Sequence, residues 1–136
     1  MSVRILIADD DSPIRRLLRR LIEEHAGWEV CGEAVNGADA VSKAGELSPD
    51  LVVLDLAMPL KNGFQAAREI SKSTPTVPML LLTVQQVSSE LVHEARKAGF
   101  RGAVSKCTGS EVVKGVETLL RDGNFFKSAP REAPAY

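Results

Sequence analysis

Residues 3–13 read Val3-Arg4-Ile5-Leu6-Ile7-Ala8-Asp9-Asp10-Asp11-Ser12-Pro13: an almost unbroken apolar run of strand length, three successive acids, then a helix start. A strand that is apolar at successive positions is covered on both faces, the condition of a parallel strand inside a sheet. Leu51-Val52-Val53-Leu54 and Met79-Leu80-Leu81-Leu82-Thr83 have the same character. Trp28-Glu29-Val30-Cys31-Gly32-Glu33 alternates instead, and Gly102-Ala103-Val104-Ser105 is short and made of small residues, so both suit the edges of the same sheet.

Helical periodicity fills the intervals. Ile14, Leu17, Leu18, Leu21 and Ile22 recur along one face of a helix opened by Ser12-Pro13, with Arg15, Arg16, Arg19 and Arg20 largely opposite. A second helix is expected after Asn36-Gly37 with Ala40, Val41, Ala44 and Leu47, and a third after Asn62-Gly63 with Phe64, Ala67 and Ile70 inward. Leu91, Ala95 and Ala98 mark a fourth before Gly99. The capping sequence Thr108-Gly109-Ser110-Glu111 opens a fifth with Val112, Val113, Val116, Leu119 and Leu120. Strict strand–helix alternation, five times over, predicts an α/β doubly wound parallel sheet, because right-handed crossovers set helices on both faces.

The 136 residues suffice for one domain, expected over 1–125, with 126–136, where Ala-Pro occurs twice, a linker or tail. Seventeen basic against 18 acidic residues leave a net charge of -1, so no global field draws the chain to nucleic acid or an anionic membrane. Cys31 and Cys107 stand far apart with no metal-type spacing, and no signal peptide or membrane-spanning run is present. The expectation is a soluble protein of the reducing cytoplasm.

In doubly wound sheets ligand chemistry belongs at the carboxyl ends of the strands. There this sequence places Asp9 and Asp10 after the first strand, Asp55 at the third, Thr83 at the fourth and Lys106 just past the fifth. Three carboxylates on one rim repel one another and call for a cation. Oxygen ligands with room for water are what Mg²⁺ prefers.

This ordered set resembles the receiver domain of two-component response regulators, over about residues 3 to 124. The motifs that carry the resemblance are Ile7-Ala8-Asp9-Asp10-Asp11, Leu54-Asp55-Leu56-Ala57-Met58-Pro59 with Asn62-Gly63, Leu82-Thr83, Ala98-Gly99-Phe100-Arg101-Gly102 and Ser105-Lys106. The resemblance implies a flavodoxin-like (βα)5 fold with strand order 2-1-3-4-5. It implies that Asp55 takes a phosphoryl group from a histidine kinase or phosphotransfer protein, that Asp10, Asp55 and the Ala57 carbonyl bind Mg²⁺ with Asp9 orienting it through water, and that Thr83 and Lys106 neutralise the phosphoryl oxygens. Ala57 and Gln85 resemble positions that tune hydrolysis. The chain is then not an enzyme in the ordinary sense, since it catalyses only its own phosphorylation and dephosphorylation.

Within the family the chain resembles receivers that precede a helix-turn-helix domain, through Cys31 to Gly37, Leu47 to Leu51 and Gly123 to Phe126. By resemblance the first helix, with its four arginines, is a kinase-docking element, and the last two helices with the fifth strand, including Val113 and Val116, form a homodimer face. Three positions depart from the family pattern: Val84 crowds the approach beside Thr83, Cys107 replaces a proline and so favours a trans bond, and Ala103 replaces the aromatic of the last strand.

Other readings are weaker. A haloacid-dehalogenase-type phosphotransferase needs a second acid where Ala57 stands, and a flavin site needs a Ser/Thr-rich loop where the acids stand. A degenerate receiver that acts unphosphorylated as a binding module is the alternative that the three departures keep open. His25 and His93 read as surface or helix-end residues, and Cys107 as an inert thiol.

Overall fold

The computed structural model describes residues 2–106 and 109–126. Its elements run β1 (Val3–Ala8), α1 (Ser12–Glu23), β2 (Trp28–Ala34), α2 (Gly37–Leu47), β3 (Leu51–Asp55), α3 (Gly63–Ser73), β4 (Met79–Thr83), α4 (Ser89–Ala98), β5 (Gly102–Ser105), α5 (Gly109–Leu120) and β6 (Phe125–Phe126). Every strand pairing is parallel, in the order β2-β1-β3-β4-β5-β6. The flavodoxin-like 2-1-3-4-5 arrangement is present, with one correction. β5 is not an edge, because Phe125 and Phe126 pair with Gly102 and Ala103.

The apolar runs are apolar throughout because alternate residues feed two layers. Leu6, Ala8, Val52, Leu54 and Leu81 pack with α2, α3 and α4, while Ile5, Ile7, Val53, Leu80 and Leu82 pack with α1 and α5. These ten side chains are fully buried. At about 1.5–3 kcal/mol for each of the larger ones, they make β1, β3 and β4 the stable frame of the site.

Helix starts follow local side-chain chemistry. Asp11 caps α1 just ahead of Ser12-Pro13, accepting from the Ile14 N–H. Asn36 accepts from the Asp39 N–H at 2.7 Å. Asn62 and Gln65 form a reciprocal capping box at 2.9 Å each way. α4 ends at Gly99, whose φ of 106° only glycine adopts without strain.

One sequence expectation is corrected on the helices. Leu17 is 39% exposed, because it lies about 100° around α1 from Leu18, beyond the buried stripe of Leu18 and Ile22. His25 is half-buried and stacked on Trp28, ring centroids 3.6 Å apart. The readings made at Cys107, Thr108 and 127–136 lie outside the described residues. Among the described residues no helix is long and apolar enough to cross a membrane.

Candidate functional site

The carboxyl ends of β1, β3, β4 and β5 meet at one rim. The register sets Ala8 beside Leu54, Asp55 beside Leu82 and Thr83 beside Ser105, so residues at or just past these ends converge. The loop after β3 is held close by Gly63, where a β-carbon would lie 2.5 Å from the Asp55 carbonyl oxygen. Gly37 allows a similar approach of the α2 start to the Lys61 carbonyl.

The site has a buried floor and an open mouth. Asp9, Asp55 and Thr83 are 0%, 3% and 2% exposed, whereas Asp10 stands in solvent. Carboxylate oxygens of Asp9, Asp10 and Asp55 lie within 4.8 Å of one another. The Lys106 ammonium reaches between the two buried acids, 2.7 Å from Asp9 Oδ2 and 3.0 Å from Asp55 Oδ1. Its backbone N–H donates to the Thr83 carbonyl at 2.9 Å, which fixes where the side chain starts. Above this floor a cleft of about 210 Å³ is lined by Asp10, Asp55, Ala57, Thr83, Val84, Gln85 and Lys106, all named from the sequence, and by Asp11 and Leu56. Asp9 lies beneath the cleft rather than on its wall.

Burial and charge act against each other here. Burial pushes the Asp55 carboxyl above its ordinary value, and the Asp9 charge adds to that; the Lys106 ammonium and the Ala57 N–H pull the other way without overcoming it. Burial opposes the charge on Lys106 as well, but its close contacts with the Asp9 and Asp55 carboxylates and their charges more than offset this and hold the ammonium above its ordinary value. The two shifts differ in what offsets burial: Lys106 has two anions to itself, while Asp55 shares one cation with another anion. Lys106 is thus a firmly charged group, and Asp55 an anion with unmet demand for positive charge.

The donor set fits a hard divalent cation. It is all oxygen, it carries three carboxylates against one ammonium, and the buried Asp9 Oδ2 has no hydrogen bond. Its contact with Lys106 is at ion-pair distance but not in hydrogen-bond alignment. Asp9 Oδ1 is already used, accepting from the Asp11 N–H at 2.9 Å. Thr83 presents a hydroxyl whose oxygen accepts from the Gln85 N–H at 2.9 Å, so its proton is left to donate into the cleft.

Two expectations take a different form in space. Val84 is 73% exposed at the cleft mouth, so it flanks the approach rather than filling the floor. Arg15 and Arg19 are not a freely solvated row. Both bind Glu33 of β2, at 3.0 and 2.8 Å, and Arg15 also donates to the Asp9 carbonyl at 2.7 Å. Despite some burial, these two guanidinium groups hold the Glu33 carboxyl below its ordinary value. Asp11 and Leu56 were not read as cleft residues, since an acid at a helix start and a leucine after a strand have ordinary structural roles.

Comparison with known proteins agrees with this geometry. Residues 5–116 match the family model described as the response regulator receiver domain. The chain is 41% identical over 106 residues to the chemotaxis protein CheY of Thermotoga maritima, covering 78% of this chain and 87% of that one. It is 37% identical over 106 residues to a protein-glutamate methylesterase/protein-glutamine glutaminase of Alkalilimnicola ehrlichii, covering 78% of this chain but only 27% of that longer protein. A LuxR-family two-component response regulator from an Aurantimonas species superposes with a TM-score of 0.88 at 32% identity, covering 93% of this chain and 90% of that one.

Proposed function

The chain belongs to the response regulator receiver domain family, the receiving module of two-component signalling, and from that premise we propose that it is a phosphorylatable switch whose Asp55 accepts a phosphoryl group from a sensor histidine kinase or phosphotransfer protein. The observation that carries the reading is the meeting of Asp55, Lys106 and Thr83 in one cleft beside two further carboxylates.

In the proposed step an Asp55 carboxylate oxygen attacks phosphorus, a P–O bond forms, and the P–N bond to the donor histidine breaks with its electron pair left on the imidazole. Lys106 and the Thr83 hydroxyl neutralise the equatorial oxygens of the phosphoryl group in transit. Bound Mg²⁺, held by Asp9, Asp10, Asp55 and the Ala57 carbonyl, would supply the positive charge that the phosphoryl oxygens and crowded carboxylates require. Water then hydrolyses the acyl phosphate, with Ala57 and Gln85 on the cleft wall as the residues that tune its access. The domain acts on itself and turns over no separate substrate.

The receiver unit is taken as 1–125, with 126–136 a linker or tail of which Phe126 completes β6. Docking of the phosphodonor on α1, a homodimer through α4, β5 and α5, and action in the cytoplasm complete the proposal. Val116 is buried and not available to such a dimer, which leaves half-buried Val113.

Incubation with acetyl phosphate and Mg²⁺ followed by intact-mass measurement tests the reading. The expected result is a gain of about 80 Da, one phosphoryl group, that is lost in Asp55→Asn and without divalent cation. Wild-type protein that stays unmodified would instead support a binding module that works unphosphorylated.

A further inference from the structure

Ala103, in the middle of β5, is fully buried, and the register sets Phe126 of β6 directly beside it. Level residues on neighbouring parallel strands face the same side of a sheet. Accordingly Ala103 and Phe126 belong to the layer that includes Leu91 and Ala95 of α4, while Val104 and Phe125 belong to the layer of α5. The small side chain at 103 leaves the space beside it to the Phe126 ring, and the Arg96 guanidinium of α4 stands over that ring, 4.4 Å from its centroid.

Phe125 is seated by two glycines. A β-carbon at Gly102 would lie 2.7 Å from the Phe125 carbonyl oxygen, and one at Gly115 would lie 3.3 Å from its ring. Yet β6 has only two residues and both are half-buried, with the Phe125 N–H donating to the Arg101 carbonyl at 2.9 Å. A strand so short is among the first elements to open.

The other end of β5 runs straight into Lys106, whose ammonium is held between Asp9 and Asp55. Lys106 stands three positions after Ala103, about 10 Å along an extended chain. We propose that β6 is a reversible clasp on β5, fastened while Asp9 and Asp55 hold Lys106 and loosened when Lys106 is drawn to another anion in the cleft. β5 is the shared element: moving its carboxyl end tilts the strand against which both phenylalanines are seated. The inference uses the ion pairs of the cleft and does not rest on phosphoryl transfer, so either can fail without the other.

Coupling of this kind is reciprocal, so unfastening β6 must change how Lys106 is held. The test uses the whole chain with Phe126→Ala and, as a second variant that leaves the ring in place, Arg96→Gln. Amide hydrogen exchange at Phe125 and acetylation of Lys106 by acetic anhydride are both read by peptide mass spectrometry, with exposed Lys72 and Lys97 as internal references. The expected result is exchange at Phe125 faster by about fivefold or more, with Lys106 reactivity relative to the references changed by about threefold or more. Unchanged exchange at Phe125 in both variants overturns the clasp. Faster exchange with Lys106 reactivity unchanged overturns its link to the cleft.

Discussion

Replacing Asp55 by asparagine should make the fold more stable in the absence of divalent cation while abolishing phosphoryl acceptance. At an effective dielectric of about 20, the Lys106 ammonium 3.0 Å away stabilises the Asp55 charge by about 5.5 kcal/mol. Asp9, with a carboxylate oxygen within 4.8 Å, opposes it by at least about 3.5 kcal/mol, and exposed Asp10 adds a smaller, water-screened repulsion. The charge terms therefore largely cancel, and burial decides against the ionised form, in line with the raised Asp55 carboxyl. Asparagine removes that burden, and Lys106 keeps Asp9 at 2.7 Å as a partner, so no buried cation is orphaned. The expected gain is about 1–2 kcal/mol at neutral pH, or a urea midpoint higher by roughly 0.5–1 M. A group whose folded value is raised contributes its stability fully below its unfolded value, near 3.8, and loses it as pH rises through the folded value. The advantage of asparagine should accordingly fade toward acid pH. Urea unfolding in EDTA at low salt, followed through Trp28, makes the measurement; a variant less stable than wild type at pH 7 would refute the reasoning.

Glu33→Gln should act in the opposite direction. Glu33 is held below its ordinary value near 4.5, so its stabilisation is present above that value and lost as pH falls through the folded one; the variant should be less stable by about 1 kcal/mol at neutral pH and converge with wild type in acid, as urea midpoints across pH will read. Gly63→Ala would set a methyl group 2.5 Å from the Asp55 carbonyl oxygen, and should lower stability by about 1–3 kcal/mol by thermal melt while slowing adduct formation through a displaced Asp55. Thr83→Ala should leave the fold within about 1 kcal/mol, since the Gln85 N–H is at the solvent-facing mouth, but slow adduct formation from acetyl phosphate roughly tenfold to a hundredfold in a mass-spectrometric time course.

The parts legible in sequence are those governed by local pattern. Apolar runs over 3–8, broken only at Arg4, and over 51–54 and 79–82 marked buried parallel strands, and Asn36, Asn62 and Gly99 marked helix boundaries through their own hydrogen bonds or dihedral freedom. The site was legible because strand ends are known once strands are, and Asp9, Asp55, Thr83 and Lys106 occupy four of them. What escaped depends on contacts across the chain. Phe125 and Phe126 follow Gly123-Asn124 and carry strand-forming side chains, but two residues give no period to detect; only the glycine notch at 102 and 115 makes them a strand. The partnership of Arg15 and Arg19 with Glu33, 18 and 14 residues away, could not be read from a helical face alone. Burial separates Asp9 from Asp10 although they are neighbours, because Asp9 lies beneath the cleft against Lys106 while Asp10 stands on its wall.

The most direct test locates the modified atom. Protein treated with acetyl phosphate and Mg²⁺ is reduced with borohydride, which converts an acyl phosphate on aspartate to homoserine, and is then sequenced by tandem mass spectrometry. Homoserine at position 55 alone, dependent on Mg²⁺ and strongly diminished by Lys106→Met, is the expected result. Modification at Asp9, Asp10 or Asp11 instead, or none at position 55 in folded wild-type protein, would contradict it.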